Sequence, residues 1–306
     1  MSSTPYRYAA YLESWAEPGV SEAARSNLAN YPSYIGTIIL SYMMPDSTYS
    51  GGDTFEGTGL QFSYEASVLR GALSALRQRN PDVEILVGIG GGDYTNWSQL
   101  NVAAIAEFVS HFGLNGVEVC WEPTDPGCRL NAGEIVCSTD EESIAVVRAL
   151  SKGLPAGSTL SVAAMHVGAY GEGSWADSQP VSAWTGVSLA LLRSDVAGSI
   201  TRLNISAYDA GTAYDPKQAL AAYQNYFAGP ILLGVAVAPE SWGGHVVTLA
   251  EVDALANEVK ARDAGGMSIW SLTKQPQPGT PSARAISQAI CNGLALGDSA
   301  EPWPGD

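Results

Sequence analysis

The sequence is poor in basic residues, with 15 Lys and Arg against 31 Asp and Glu and a formal net charge of −16 over 306 residues. A surface with this charge repels nucleic acid and anionic membranes, so we expect neither as a partner. No apolar run is long enough to span a bilayer. A neutral small molecule or a polysaccharide fits this composition better.

Metal-ligand spacings are also missing. The chain has three histidines and four cysteines, without a CxxC or HxxxH pattern, so we expect no metal and no cofactor. Cys128 and Cys137 bracket a short loop that a disulfide would close, which would leave Cys120 and Cys291 as buried thiols. Whether that disulfide forms stays open because the compartment is undecided.

The first residues, MSSTPYRYAAY, lack the basic and apolar regions of a secretory signal. The chain is therefore either cytoplasmic or the mature form of a secreted protein. The scarcity of lysine, the acidic balance and the many Trp and Tyr residues favour the secreted form.

Eight apolar segments rich in β-branched residues recur along the chain and read as buried strands. They are Tyr8–Leu12, Thr37–Tyr42, Ile85–Ile89, Gly116–Trp121, Leu160–Met165, Leu203–Ala207, Ile231–Val237 and Met267–Ser271. Helical spacing between them predicts helices at Tyr64–Arg79, Val102–Phe112, Glu141–Leu154, Pro216–Phe227, Leu249–Arg262 and Ser282–Cys291.

Eightfold strand–helix alternation predicts an α/β fold, a single-domain (β/α)8 TIM barrel. A doubly wound sheet is the rival, but 12-LESWAEPG-19 is not the glycine-rich turn that such a sheet carries after its first strand. No second domain remains to be placed. We expect a monomer with a barrel domain at residues 1–296 and a C-terminal tail at 297–306.

Active sites of such barrels form at the carboxyl ends of the strands. Those ends carry aromatic side chains and a few carboxylates here, a combination that suits the apolar faces and hydroxyls of a sugar. The alternative is that these aromatics merely plug the barrel mouth. Beyond those at the fourth strand, the rim residues with a predicted binding role are Trp15, Tyr42, Met165, Glu240, Trp242 and Trp270.

Four short motifs follow one another on successive predicted strands: 88-GIGG-91, 115-NGVEVCWE-122, 203-LNISAYD-209 and 265-GGMSIWSL-272. In that order the sequence resembles glycoside hydrolase family 18, the chitinases and their non-catalytic relatives. The family pattern reads SxGG on the third strand and DGxDxDxE on the fourth. It has a Tyr-Asp pair on the sixth strand and a Trp at the cleft floor on the eighth.

The resemblance implies a role for each matching residue. Glu122 would protonate the glycosidic oxygen while the substrate's own acetamido carbonyl attacks the anomeric carbon. Tyr208 and Asp209 would match the family pair, and Trp270 the cleft floor. The three aspartates of the fourth strand are replaced by Asn115, Glu118 and Cys120, and Gly88 stands where the family has serine.

Cys120 is the most consequential of these departures because it takes the position that orients the acetamido group. A thiol is a weak donor and acceptor. We therefore predict catalytic roles for Glu118, Glu122, Tyr208 and Asp209, with Cys120 and Trp121 in the binding set. Burial and the neighbouring Glu118 should raise the pKa of Glu122.

Three functions remain open at this stage. The first is a weak or specificity-shifted hydrolase acting on chitin or other oligosaccharides containing N-acetylglucosamine. The second is a lectin that binds chito-oligosaccharides without turnover, and the third is a barrel with no sugar site, such as an inhibitor. Asp209 as a base for inverting water attack, and Cys120 as a nucleophile beside His166, are further alternatives within the first.

Overall fold

Eight parallel strands close into a barrel in the computed structural model, which describes residues 6–242 and 244–305. The barrel order is β1-β10-β9-β8-β7-β4-β3-β2, the numbering including a two-stranded hairpin between β4 and β7. The barrel strands are β1 (Arg7–Glu13), β2 (Thr37–Met43), β3 (Glu84–Gly90), β4 (Gly116–Cys120), β7 (Thr159–Met165), β8 (Arg202–Ser206), β9 (Ile231–Ala236) and β10 (Gly266–Trp270). The predicted (β/α)8 barrel is confirmed.

Seven α-helices surround the barrel in the described part of the chain. They are α1 (Ala66–Arg79), α2 (Val102–His111), α3 (Asp140–Gly153), α4 (Leu189–Arg193), α5 (Pro216–Gln224), α6 (Leu249–Ala261) and α7 (Ala283–Leu294). Their starts follow local chemistry: Thr248 and Glu251 form a capping box at α6, and the Asp215 carboxylate caps α5. None of these helices is long and apolar enough to cross a membrane.

The predicted eightfold alternation is incomplete at the first connection. Among the described residues between β1 and β2 there are only short 3₁₀ turns, at Ser14–Ala16, Ala23–Arg25 and Leu28–Asn30. Pro18 and Pro32 lie in this segment and disfavour a continuous helix. The connection therefore passes over the barrel mouth as a loop and brings Trp15 there.

The core has two parts. The larger lies between the strands and the helices, and the smaller fills the barrel interior with residues that include Tyr11, Ile39, Cys120 and Leu232. Side chains of alternate residues point into the barrel. The interior positions of β4 are therefore those of Glu118 and Cys120.

A charged cluster closes the amino-terminal end of the barrel. The Glu84 carboxylate accepts hydrogen bonds from Arg202 at 2.5 Å and Arg7 at 3.3 Å. The hydroxyls of Thr37 and Thr159 donate to the same carboxylate at 2.9 and 2.6 Å. The two arginines hold the pKa of Glu84 below its usual value despite partial burial.

A hairpin of β5 (Arg129–Asn131) and β6 (Glu134–Val136) interrupts the connection from β4 to α3. A disulfide between Cys128 and Cys137 closes it, while Cys120 and Cys291 are free and buried, so the predicted thiol arrangement is confirmed. Glu172 fixes the hairpin to the barrel by accepting the Ile135 amide at 2.7 Å.

The last residues lie against the barrel. The Glu301 carboxylate accepts the Ser33 amide at 2.7 Å, and the Trp303 ring lies 5.3 Å from that of Tyr31. The boundary between barrel and tail at residue 296 remains a prediction.

Candidate functional site: an aromatic cleft at the carboxyl ends of the strands

A cleft of about 960 Å³ opens at the carboxyl ends of the barrel strands. A volume of this order is large enough for several linked sugar rings. Eight of the predicted site residues line it together: Glu122, Tyr208 and Asp209 with Trp15, Tyr42, Met165, Trp242 and Trp270.

One wall of the cleft is aromatic. The Tyr42 and Trp270 rings stack with centroids 5.6 Å apart and planes 13° apart, and Trp15 lies 6.3 Å from Tyr42 and 6.4 Å from Trp270. Tyr11, on β1, meets the Trp270 ring edge-on at 5.4 Å. Tyr42 lies on β2 and Trp270 on β10, the two neighbours of β1, while Trp15 directly follows β1. Together the rings form a continuous apolar surface that a sugar ring can cover.

Gly88 is explained by the same wall. A β-carbon at this position would lie 2.9 Å from Cδ1 of Tyr42, too close for the ring to stay in place. At Gly91, where φ is +76°, a β-carbon would lie 2.7 Å from the other edge of that ring. Glycine at position 88, where the family pattern has serine, therefore leaves room for the Tyr42 ring over the third strand.

Glu122 lies two residues beyond β4, largely buried at the floor of the cleft. Burial is the main cause that raises its pKa from 4.5 to about 7, and the charges of Asp209 and Asp93 add to it. The expected rise is present, but Glu118, which the sequence suggested as the neighbouring charge, is not among its causes. A carboxyl group with this pKa is a suitable proton donor near neutral pH.

Glu118 lies deeper, fully buried in the barrel interior, and does not line the cleft. Its carboxylate accepts hydrogen bonds from Tyr11, from Asn204 and, at 2.7 Å, from Ser161. Burial raises its pKa while these donors and Arg202 lower it. Glu118 thus joins four barrel strands beneath the site, and contact with substrate is not available to it in this arrangement.

Cys120 is also fully buried and does not line the cleft. Its Sγ lies 4.0 Å from Oε1 of Glu118, and Tyr42 hydrogen-bonds to it from above. Burial and the charges of Glu118 and Glu122 raise the pKa of the thiol well above its usual value. It therefore stays protonated, which removes the thiolate that a nucleophilic role requires.

Tyr208 and Asp209 both follow β8, but their side chains make different contacts. The Tyr208 hydroxyl hydrogen-bonds with Ser206, and burial raises its pKa, so it remains a donor at neutral pH. Asp209, at φ +59°, accepts the Trp242 amide at 2.8 Å through Oδ1. Its own amide donates to Glu240 at 2.7 Å.

These two hydrogen bonds join the segment after β8 to the segment after β9. Trp242 is 72% exposed yet its backbone is fixed by Asp209. Glu240 does not line the cleft, and it lies instead in an adjoining pocket of about 310 Å³. Glu240 therefore supports the loop rather than facing a ligand in the cleft.

Trp121 lies outside the cleft. It is only 9% exposed and packs on the Trp97 ring at 5.2 Å, in the layer between strands and helices. Strand alternation explains this, because the residues on either side of Trp121 point into the barrel. The alternation of side chains along β4 and the residues after it therefore predicts this orientation from the sequence.

Several lining residues were outside the predicted set of site residues, among them Tyr11, Asp93 and Trp184, and His166 was named only as a partner for a nucleophilic Cys120. Trp184 donates its indole N–H to the Pro123 carbonyl at 2.8 Å and so fixes the segment that follows Glu122. Burial lowers the pKa of His166 to about 4, and its Nδ1 accepts the Val167 amide. The imidazole is neutral at physiological pH.

No group of three or more His, Cys, Asp or Glu among the described residues is arranged to hold a metal ion. The fold and the cleft together define a (β/α)8 barrel with an acidic, aromatic-walled site at the carboxyl ends of its strands.

No family model and no curated protein sequence matches the chain. Solved structures do match over almost its full length. Human YKL-39 with chitooligosaccharides covers 94% of this chain and 99% of its own at 12% identity and a TM-score of 0.62. A mutant of the Group II chitinase catalytic domain 2 of Ostrinia furnacalis, solved with a penta-N-acetyl chito-oligosaccharide, covers 98% and 99% at 14% identity and 0.64.

The GH18 chitinase ChiB of Flavobacterium johnsoniae covers 95% of both chains at 14% identity, with a TM-score of 0.56. YKL-39 is described as a pseudo-chitinase with retained chitooligosaccharide binding. The chain therefore has the chitinase-like fold of glycoside hydrolase family 18 barrels, and the resemblance seen in its motifs is confirmed at the level of the fold.

Proposed function

We propose that the protein binds oligosaccharides of β-linked N-acetylglucosamine in the cleft and hydrolyses them slowly, with Glu122 as general acid and base. The observation that carries this proposal is the Glu122 carboxyl group, largely buried beside the aromatic wall with a pKa of about 7. Below that pH the group holds a proton that it can give to a glycosidic oxygen.

Binding would use both sides of the cleft. Sugar rings would lie on the surface formed by Trp15, Tyr42 and Trp270, with the exposed Trp242 as a further aromatic contact in the lining. Their hydroxyls would hydrogen-bond to the carboxylates of the site. The third function, a barrel without a sugar site, requires aromatics that do not form a groove, and the assembled wall argues against it.

Hydrolysis would follow the substrate-assisted route that the resemblance implies. The acetamido carbonyl oxygen attacks the anomeric carbon, the glycosidic bond breaks, and the leaving oxygen takes the proton of Glu122. Water then opens the cyclic intermediate and returns a proton to Glu122. Tyr208, whose raised pKa keeps its hydroxyl protonated, would donate to the acetamido group.

Cys120 makes this reaction slow. A buried, protonated thiol cannot form a charge-assisted hydrogen bond to the acetamido N–H, and such an oriented group typically contributes about 10²–10⁴-fold. The same observation favours the second candidate, a lectin that binds without turnover. An inverting role for Asp209 has less support, since its Oδ1 is already held by the Trp242 amide.

Turnover of a fluorogenic chitobioside tests the proposal. Glu122→Gln should lower turnover by about 100-fold or more, because it removes the proton donor but keeps the shape. The exposed Glu56→Gln is the matched control and should leave turnover unchanged. Turnover that survives Glu122→Gln would contradict the catalytic role.

Binding measured in parallel separates the two candidates. Chitopentaose binding without any turnover by the unmodified protein would support the lectin. If the unmodified protein hydrolyses slowly and the thiol limits the rate, Cys120→Asp should raise turnover by about tenfold or more. An intact fold with no gain would show that the cleft has diverged in other ways.

A further inference from the structure

The cleft is strongly acidic. Among the described residues, its lining includes the carboxylates of Glu122, Asp93 and Asp209 and no lysine or arginine. The one histidine in the described part of the lining is His166, which is neutral because burial lowers its pKa to about 4. A lining with carboxylates and no cationic side chain attracts a ligand that carries positive charge.

These carboxylates have little compensation from the protein. None of the ion pairs found among residues 6–242 and 244–305 includes Asp93, Glu122 or Asp209. Lys274 acts on Asp209, but its ammonium donates to the Pro239 carbonyl and does not line the cleft. No side-chain hydrogen bond to Glu122 is found in the described part of the chain.

The three carboxylates follow three different strands, so their negative charge is spread across the barrel mouth. Asp93 follows β3 and Asp209 follows β8, while Glu122 follows β4, which lies between those strands in the barrel order. A sugar chain that crosses the mouth over Glu122 therefore meets a carboxylate on either side. Asp93 is exposed and Asp209 is half-buried, so both are accessible to a ligand.

The residue beneath the cleft at the acetamido-orienting position gives the site no charged partner for an acetamido group. The position that would orient an acetamido N–H is occupied by Cys120, which is buried, uncharged and covered by Tyr42. A neutral acetamido group therefore gains no charged partner from it. An ammonium group on the same sugar carbon would gain from each carboxylate around it.

We propose that the cleft selects partially deacetylated chito-oligosaccharides, in which glucosamine rings place an ammonium group beside Asp93 or Asp209. This inference rests on the proposed function, since it names the substrate class of the same site. Glucosamine lacks the acetamido carbonyl that substrate-assisted attack requires. An acetylated ring is thus needed where the bond breaks, and the ammonium groups act on neighbouring rings.

Three pentasaccharides that differ only at the C2 substituent test the proposal: the acetylated chitopentaose, the glucosamine pentamer and cellopentaose. Binding is measured by calorimetry with Glu122→Gln, which prevents turnover, at a mildly acidic pH that keeps the ammonium groups charged. We expect the glucosamine pentamer to bind tightest at low salt, by about fivefold for each carboxylate engaged. This advantage should shrink at high salt, where exposed charges are screened.

Matched variants locate the effect. Adding Asp93→Asn should reduce the preference for the glucosamine pentamer over cellopentaose by about fivefold, because the amide can still hydrogen-bond to hydroxyls but carries no charge. Adding Asp82→Asn makes the same charge change at an exposed position beside the other end of β3 and should have no effect. A simple effect of net charge would make the two variants equal, and that result would overturn the proposal.

The two proposals fail in different ways. If chitopentaose binds at least as tightly as the glucosamine pentamer, with no salt dependence and no response to Asp93→Asn, the charge-based selection is refuted and the proposed function stands. If neither nitrogen-containing pentamer binds, the proposed function is refuted together with this inference.

Discussion

Glu122 should make the protein less stable at alkaline pH. Its pKa is raised from 4.5 to about 7 in the folded protein, chiefly by burial. The folded state therefore holds this proton more tightly than the unfolded state does. The free energy of unfolding carries no penalty from Glu122 below pH 4.5, where the group is protonated in both states. It falls as the pH rises through 7, where the folded state must give up the proton.

The magnitude follows from the same values. At about 1.4 kcal/mol for each pKa unit, the rise from 4.5 to about 7 corresponds to about 3 kcal/mol of destabilisation above pH 7. Glu122→Gln cannot ionise, so it should match the parent near pH 4.5 and exceed its stability by up to about 3 kcal/mol at pH 8.5. For a chain of this length that is about 5 °C in Tm.

Thermal unfolding of both proteins at several pH values between 4.5 and 8.5 measures this difference. Glu17 has a pKa that burial also raises to about 7, but it is present in both proteins and cancels in the comparison. Glu56→Gln controls for the loss of one exposed charge. A Glu122→Gln difference that stays constant with pH, or that Glu56→Gln reproduces, would refute the reasoning.

Two further predictions concern residues that act beneath and beside the cleft. Glu118→Gln should lower the free energy of unfolding by about 1–3 kcal/mol, because an amide donor would then oppose the donors of Ser161 and Asn204; denaturant unfolding measures it, and an unchanged midpoint would contradict the network. Asp209→Ala should weaken chitopentaose binding about tenfold by releasing the backbone of Trp242, as charged hydrogen bonds of this kind contribute roughly 1.5–3 kcal/mol. Adding Trp242→Ala to that variant should cost little more, and full additivity would show that Asp209 and Trp242 act independently.

The barrel was predictable because its strands are continuous apolar runs buried on both faces. The main errors lie in the connections. α4 has only five residues, Leu189–Arg193, too few for helical periodicity to be seen. The first connection contains prolines that a search for helices between strands does not weigh, and it forms 3₁₀ turns instead.

The candidate site was predictable where side chains lie on a strand or within two residues of its end, so that the alternation of the strand still applies. Glu122, Tyr208 and Trp270 meet in the cleft as their strand positions imply. How deep a side chain lies in the barrel was not predictable, because Glu118 shares a strand face with Glu122 but is buried inside the barrel. Loop contributions such as Trp184 depend on how long connections fold back, which local patterns do not determine.

The charged cluster at the amino-terminal end gives the barrel an electrical polarity along its axis. Two guanidinium groups, of Arg7 and Arg202, converge there on the single carboxylate of Glu84. At the other end, the carboxylates of Asp93, Glu122 and Asp209 take part in no ion pair among the described residues. A cationic polymer would therefore exert a torque on the approaching molecule and turn its open mouth toward the chain before any contact forms. Encounter should then be fast in dilute salt and slow in concentrated salt, independently of how tightly the ligand is finally held.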